Sequence, residues 1–150
     1  MADALDIWMT ICCYEMRWPL NVYRDRGVHL LGERASGFLA RAETMTPDDY
    51  HRALDQRDAL RARHAALAPV ADAVIVPAAP GPAPKGLGFT GSPSFNALSS
   101  GLGAPAITLP LMAVDGLPVG VQLIGQVQGD DRLAAHAAWV AETFLPALLA

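Results

Sequence analysis

At 150 residues and 15.9 kDa the chain fits one domain with little room for a second, and its 52% hydrophobic share is enough for a core. Its 17% charged residues, net charge of −4 and pI near 5.4, without a basic tract, exclude a disordered tail or an electrostatic nucleic-acid binder. No apolar run reaches the roughly 18 residues of a membrane span, and Asp3 and Asp6 sit where a secretory leader would be basic, so a soluble, cytoplasmic chain is expected.

Residues 1–68 read as mainly helical. Leu5, Trp8, Cys12 and Met16 recur at three- and four-residue spacing and predict an amphipathic helix from Asp3 to Trp18, closed by Pro19. A weaker helical pattern covers Val28 to Ala42 and is interrupted by Gly32 and Gly37. The third helix has the strongest start signal. Thr46 is the N-cap, Pro47 the first helical residue, and Asp48 and Asp49 complement the positive helix end, with the pattern running to Leu67.

Residues 69–150 read as α/β. The apolar run at 73–76 predicts a strand covered on both faces, and four prolines between Pro77 and Pro84 impose an extended loop. Ser92-Pro93 opens a short helix ending near Gly101. Two further strands, 106–109 and 119–124, flank an Asp115-Gly116 turn, and a last helix runs from Asp131 to Phe144. The expected architecture is α/β, a small mixed sheet of about three strands packed with helices.

Chemistry-bearing clusters are sparse. His29, His51, His64 and His136 are scattered without metal-ligand spacing, so no metal site is predicted and they read as surface or half-buried helix residues. The adjacent Cys12 and Cys13 suit packing better than a disulfide framework. Lys85, the only lysine, lies fourteen and fifteen residues before Ser99 and Ser100. A serine and a lysine can form a hydrolytic pair, but spacing alone favours a solvated loop lysine and serines near a helix end.

Thr90 to Leu133 carries several elements in order: Asn96; Gly103-x-Pro105-Ala106 leading to Leu109-Pro110; Gly116-Leu117-Pro118-x-Gly120-x-Gln122-x-x-Gly125; then Asp131. This stretch resembles the C-terminal end of the amidase signature family. The upstream part matches more loosely, through Tyr50, Arg57 and the Asp72-to-Pro77 run. The resemblance implies a portion of that fold, and a family chemistry of hydrolysis or transfer at an amide carbonyl by a Ser–cis-Ser–Lys triad with no added cofactor. In family members the triad lies N-terminal to the region resembled, so no catalytic residue is assigned to these 150. The resemblance places Ser99 and Ser100 in the family's later Asn…Gly-x-Pro-Ala helix and Lys85 in the proline-rich loop, so no catalytic role is carried onto them. By position, Phe89 and Thr90 are the substrate-pocket candidates. Asn96, Gly103, Pro105, Gly116, Pro118, Gly120, Gln122, Gly125 and Asp131 are structural motif positions.

Three functions follow from the resemblance: an amidase-related protein inactive alone, one component of a split amidase completed by a partner chain, or a non-catalytic binding or scaffolding module. Because the family's sheet continues beyond the strands seen here, an uncovered edge or apolar face is expected. Self-association as a homo-oligomer, or assembly with a complementary amidase chain, would cover it. Neither nucleic acid nor membrane is an expected partner.

Overall fold

The computed structural model describes residues 2–149. The described residues form five helices, α1 (Ala2–Arg26), α2 (Glu33–Glu43), α3 (Pro47–Ala65), α4 (Asn96–Leu102) and α5 (Asp130–Leu149), and three strands, β1 (Val74–Pro77), β2 (Ala106–Val114) and β3 (Leu117–Ile124). A single 3-10 turn, Val28–Leu30, joins α1 to α2. Strand order is β1-β3-β2 and both pairings are antiparallel, so the sheet has the expected three strands without the mixed pairing.

Local signals at α3 act as the sequence predicts. The Thr46 hydroxyl accepts the Asp49 backbone N–H at 3.2 Å, and the Asp49 carboxylate accepts the Thr46 backbone N–H at 3.0 Å, a complete capping box. The helix ends at Ala65, just short of Leu67. The Asp130-Asp131 pair likewise lies in the first turn of α5, where acids offset the helix dipole.

Pro19 does not close α1. It lies inside the helix on an exposed stretch, where the carbonyl freed four residues earlier can face water, and the helix runs on to Arg26. Gly27, at φ 125°, ends it in a conformation that suits glycine, and its N–H donates to the Tyr23 carbonyl at 2.9 Å. Gly32 divides the second helical pattern by serving as the N-cap of α2.

The buried stripe of α1 is Ala4, Ile7 and Ile11, with Cys13 fully buried. Leu5, Trp8, Cys12 and Met16, the expected inner face, are only half-buried. The helix packs against α2, α3 and α4 at once, so it needs small or branched residues at its closest approaches and carries larger ones in the grooves between partners. Ile7, Ile11 and Ala53 form the core of the helical half, with Tyr50, Leu54 and Leu60 around them.

In the second half, β3 is the central strand and holds Val119, Leu123 and Ile124 in the interior. Strand β1 is an edge, and Ile75 is 64% exposed, which corrects the expectation of cover on both faces. Strand β2 extends past Leu109 to Val114, with a register shift between Leu109 and Met112 that accommodates Pro110, a residue unable to donate to a ladder. The hairpin turns at Asp115 and Gly116, both with positive φ (51° and 76°), as a two-residue turn between twisted strands requires. On α5, Leu133 and Ala137 point inward as predicted, whereas Phe144 is half exposed.

Three contacts from α3 tie the halves together. Arg61 Nε donates to the Leu102 carbonyl at 2.7 Å, at the end of α4. His64 Nε2 lies 2.8 Å from the Gly125 carbonyl, and since a carbonyl only accepts, that nitrogen carries the proton. Gln126 Nε2 donates back to the His64 carbonyl at 3.3 Å. His64 is therefore buried and structural, not a surface histidine.

Candidate functional site

The candidate site is a cavity of about 410 Å³ between the proline-rich loop, the start of α4 and the β3 strand. Prolines 80, 82 and 84 fix φ at three places in this wall and remove three backbone donors, and the chain there runs through bends rather than the expected extended form. Phe89 and Thr90 border this cavity, together with Gly91, Ser92, Asn96, Pro118, Val119 and Gly120. Both Phe89 and Thr90 are exposed at its mouth.

The floor is set by close packing at Gly120. A Cβ there would collide with the Thr108 side chain and stand 3.0 Å from that of Ala78, so only glycine lets the three strands meet. Gln122, on the same face of β3 and 4% exposed, donates through Nε2 to Asn96 Oδ1 at 2.8 Å. Its own Oε1 is buried without a partner. This orientation leaves a carbonyl orphaned, not an amide N–H₂, which is the less costly arrangement. It also leaves the Asn96 N–H₂ as a donor at the cavity wall, suited to a carbonyl or carboxylate oxygen.

Gly103 caps α4 in the left-handed region at φ 64°, and a Cβ there would stand 2.8 Å from an Arg61 guanidinium nitrogen. Pro105 then directs the chain into β2, and its carbonyl accepts the Gly125 N–H at 2.9 Å. Gly125 leaves room for Leu133, which an added Cβ would approach to 3.1 Å. Of these motif positions Gly103, Pro105 and Gly125 lie outside the cavity lining, and Gly120 lies within it. Gly116 shapes the hairpin turn and Pro118 lines the cavity directly.

No nucleophile–base pair borders this cavity among the described residues. Ser92 Oγ accepts the Ser94 N–H at 3.3 Å, and Ser99 Oγ donates to the Asn96 carbonyl at 3.1 Å inside α4. Ser100 is exposed on the same helix, and Lys85 is exposed in the loop. Burial pushes the Cys12 and Cys13 thiols up, helped at Cys12 by the neighbouring Glu15 carboxylate, so neither is an activated thiolate. No group of three or more His, Cys, Asp or Glu side chains is arranged to hold a metal ion among the described residues. No helix there is long and apolar enough to cross a membrane.

A second cavity, of about 520 Å³, lies between α1 and α3, outside the positions that the sequence motifs mark. Its residues Tyr14, Arg17, Trp18, Asn21 and Arg24 follow helical spacing along α1, a signal that an apolar-face search passes over.

The fold defined by these elements is that of amidases. The structure superposes on a crystal structure of an amidase with TM-score 0.85 and 24% identity, over 94% of this chain and 35% of that one. It also matches a bacterial aryl acylamidase of the amidase signature enzymes (TM-score 0.67, 14% identity, 86% of this chain and 31% of that one). A third match is 6-aminohexanoate cyclic dimer hydrolase (TM-score 0.63, 20% identity, 87% and 32%). In sequence, the chain is 36% identical over 95 residues to the A-subunit of glutamyl-tRNA(Gln) amidotransferase from two strains of Clostridium botulinum, covering 56% of this chain and 19% of that protein. No family model matches the chain. The amidase signature resemblance is therefore shown: the chain carries about a third of that fold and is a partial relative of the amidotransferase.

Proposed function

We propose that these 150 residues act as the non-catalytic, C-terminal part of an amidase signature hydrolase. They wall the acyl side of its substrate pocket and do not hydrolyse amides by themselves. The observation that carries this reading is the cavity beside Phe89, Thr90 and Asn96. It has a proline-rich wall and a hydrogen-bond donor for a carbonyl oxygen, yet among the described residues no serine–lysine or other nucleophile–base pair lines it. Amide hydrolysis needs a nucleophile, a proton acceptor for it and stabilisation of the oxyanion, and only binding capacity is present here.

A Ser–cis-Ser–Lys core from a complementary amidase chain is the second reading. Exposed Ile75 on the β1 edge, Val70 in the turn before that strand and Trp139 on α5, at 64%, 80% and 62%, favour it, since large exposed apolar side chains are what such a partner would cover. The purified protein incubated with 4-nitroacetanilide is expected to release no nitroaniline above buffer. Release that disappears in Lys85→Ala or Ser100→Ala would overturn the non-catalytic assignment. Native mass spectrometry of the protein taken from its own cells separates the readings. A complex with a Gly-Ser-rich amidase core supports the split enzyme, and a homo-oligomer alone supports a scaffold.

A further inference from the structure

The cavity between α1 and α3 has a composition unlike that of the amidase-like pocket, and its internal bonds leave a definite set of groups unused. The Tyr14 and Tyr50 rings stack at 4.4 Å with 10° between their planes, and the Arg17 guanidinium lies 4.6 Å from the Tyr14 centroid. Arg17 is held further by a bond to the Met45 carbonyl at 3.4 Å. The Tyr50 hydroxyl donates to Glu15 Oε1 at 2.8 Å. These contacts use both tyrosine rings and engage the one carboxylate at the site.

What remains is a planar face and a row of donors. Trp18 is 87% exposed and its indole pairs with no other aromatic ring among the described residues. Among the described residues no acceptor is found for its N–H or the Asn21 amide, and Arg17 and Arg24 keep guanidinium N–H groups beyond their contacts with the Met45 carbonyl and Glu43. Arg24 also meets Glu43 at 3.2 Å, but both side chains are about half exposed, so that pair yields cheaply to a ligand. The lining itself carries two arginines against Glu15, one net positive charge, which a ligand meets once Glu43 swings away from Arg24.

We propose that this cavity is a binding site for a small aromatic monoanion, an arene carboxylate. The ring would stack on the Trp18 indole, and the carboxylate would take hydrogen bonds from Arg24 and the Asn21 amide. A cationic ligand is disfavoured, because Arg17 already occupies the Tyr14 ring and both arginines repel it. A neutral apolar ligand would leave the guanidinium donors desolvated. The site is independent of the amidase-like cavity and does not rest on the function proposed for it.

Titration calorimetry with 2-naphthoate tests this. Binding is expected to saturate below about 10 mM and to weaken several-fold between low and physiological salt, as a partly exposed charge contact does. Trp18→Ala should weaken it by roughly tenfold, and Arg24→Gln by several-fold with a flatter salt dependence. Both side chains project from the surface, so the helical circular dichroism should be unchanged. In the unmodified protein, the Trp18 indole and Asn21 amide resonances should shift on titration. The proposal is overturned if no saturation is seen by about 10 mM, or if 2-naphthylmethanol binds as well as the anion. Shifts confined to other residues, or unchanged affinity in both variants, would overturn it equally.

Discussion

The helical half and the sheet half solve the same problem with different means. In the helical half, one long helix packs on α2 and α3 and also meets α4 of the other half, the core is made of Ile7, Ile11 and Ala53, and grooves remain along its surface. In the sheet half, a central strand buries Val119, Gln122, Leu123 and Ile124 almost consecutively, and α5 closes over it through Leu133 and Ala137. The first half is held by periodic side chains and helix caps. The second depends on backbone proximity, at Gly120 and Gly125, which no side-chain periodicity records. Between them stands α3, whose Arg61 and His64 reach across.

The largest effect is expected where the sheet half is most tightly packed. Leu133→Ala removes a 2% exposed side chain lying over Gly125 and should cost about 3 kcal/mol in urea unfolding. Hydrogen exchange should show the loss concentrated in β2, β3 and α5. Equal loss in α1 and α3 would mean that the two halves unfold as one unit. A smaller effect is expected at the junction. Arg61→Met deletes the donor to the Leu102 carbonyl while keeping an apolar stem, and should cost about 2 kcal/mol. It should also broaden or divide the unfolding transition, which calorimetry would read.

The smallest effect belongs to the helical half alone. Thr46→Ala removes the side-chain cap and should cost about 1 kcal/mol by thermal unfolding. Hydrogen bonds from the Thr46 backbone N–H and hydroxyl, with Arg52 nearby, hold the Asp49 carboxyl below its ordinary value. A depressed folded-state pKa contributes stability above the unfolded-state value, and this is lost as pH falls through the folded one. Acid should therefore loosen the start of α3. Asp49→Asn should flatten that acid limb in circular dichroism measured against pH.

How much was legible in the letters follows the same division. Thr46-Pro47-Asp48-Asp49 was readable because a cap is settled by four neighbouring residues. The Asp115-Gly116 turn and the inward residues Leu133 and Ala137 were readable for the same local reason. Pro19 misled because the cost of a helical proline depends on whether the freed carbonyl meets water, which its neighbours in sequence do not tell. The run at 73–76 misled because four apolar letters look alike in a central strand and in an edge strand. With β3 in the middle place, β1 is an edge and its Ile75 is left 64% exposed. At the candidate site, position within the resemblance led to Phe89 and Thr90. The Gln122–Asn96 bond was not legible, because its partners stand far apart in the chain and meet only through the sheet.

That middle place for β3 has a kinetic meaning. The last strand in the sequence lies between two earlier ones, so β1 has no partner until the β2–β3 hairpin supplies one. The hairpin closes across two residues and can form within microseconds. β1 must wait for a partner about fifty residues further along the chain, and the closure entropy of that loop slows its docking. While it waits, β3 offers an unpaired ladder edge. Refolding at high protein concentration should thus lose yield at this step, and the strand most at risk of pairing with the wrong chain is the one that ends up in the centre.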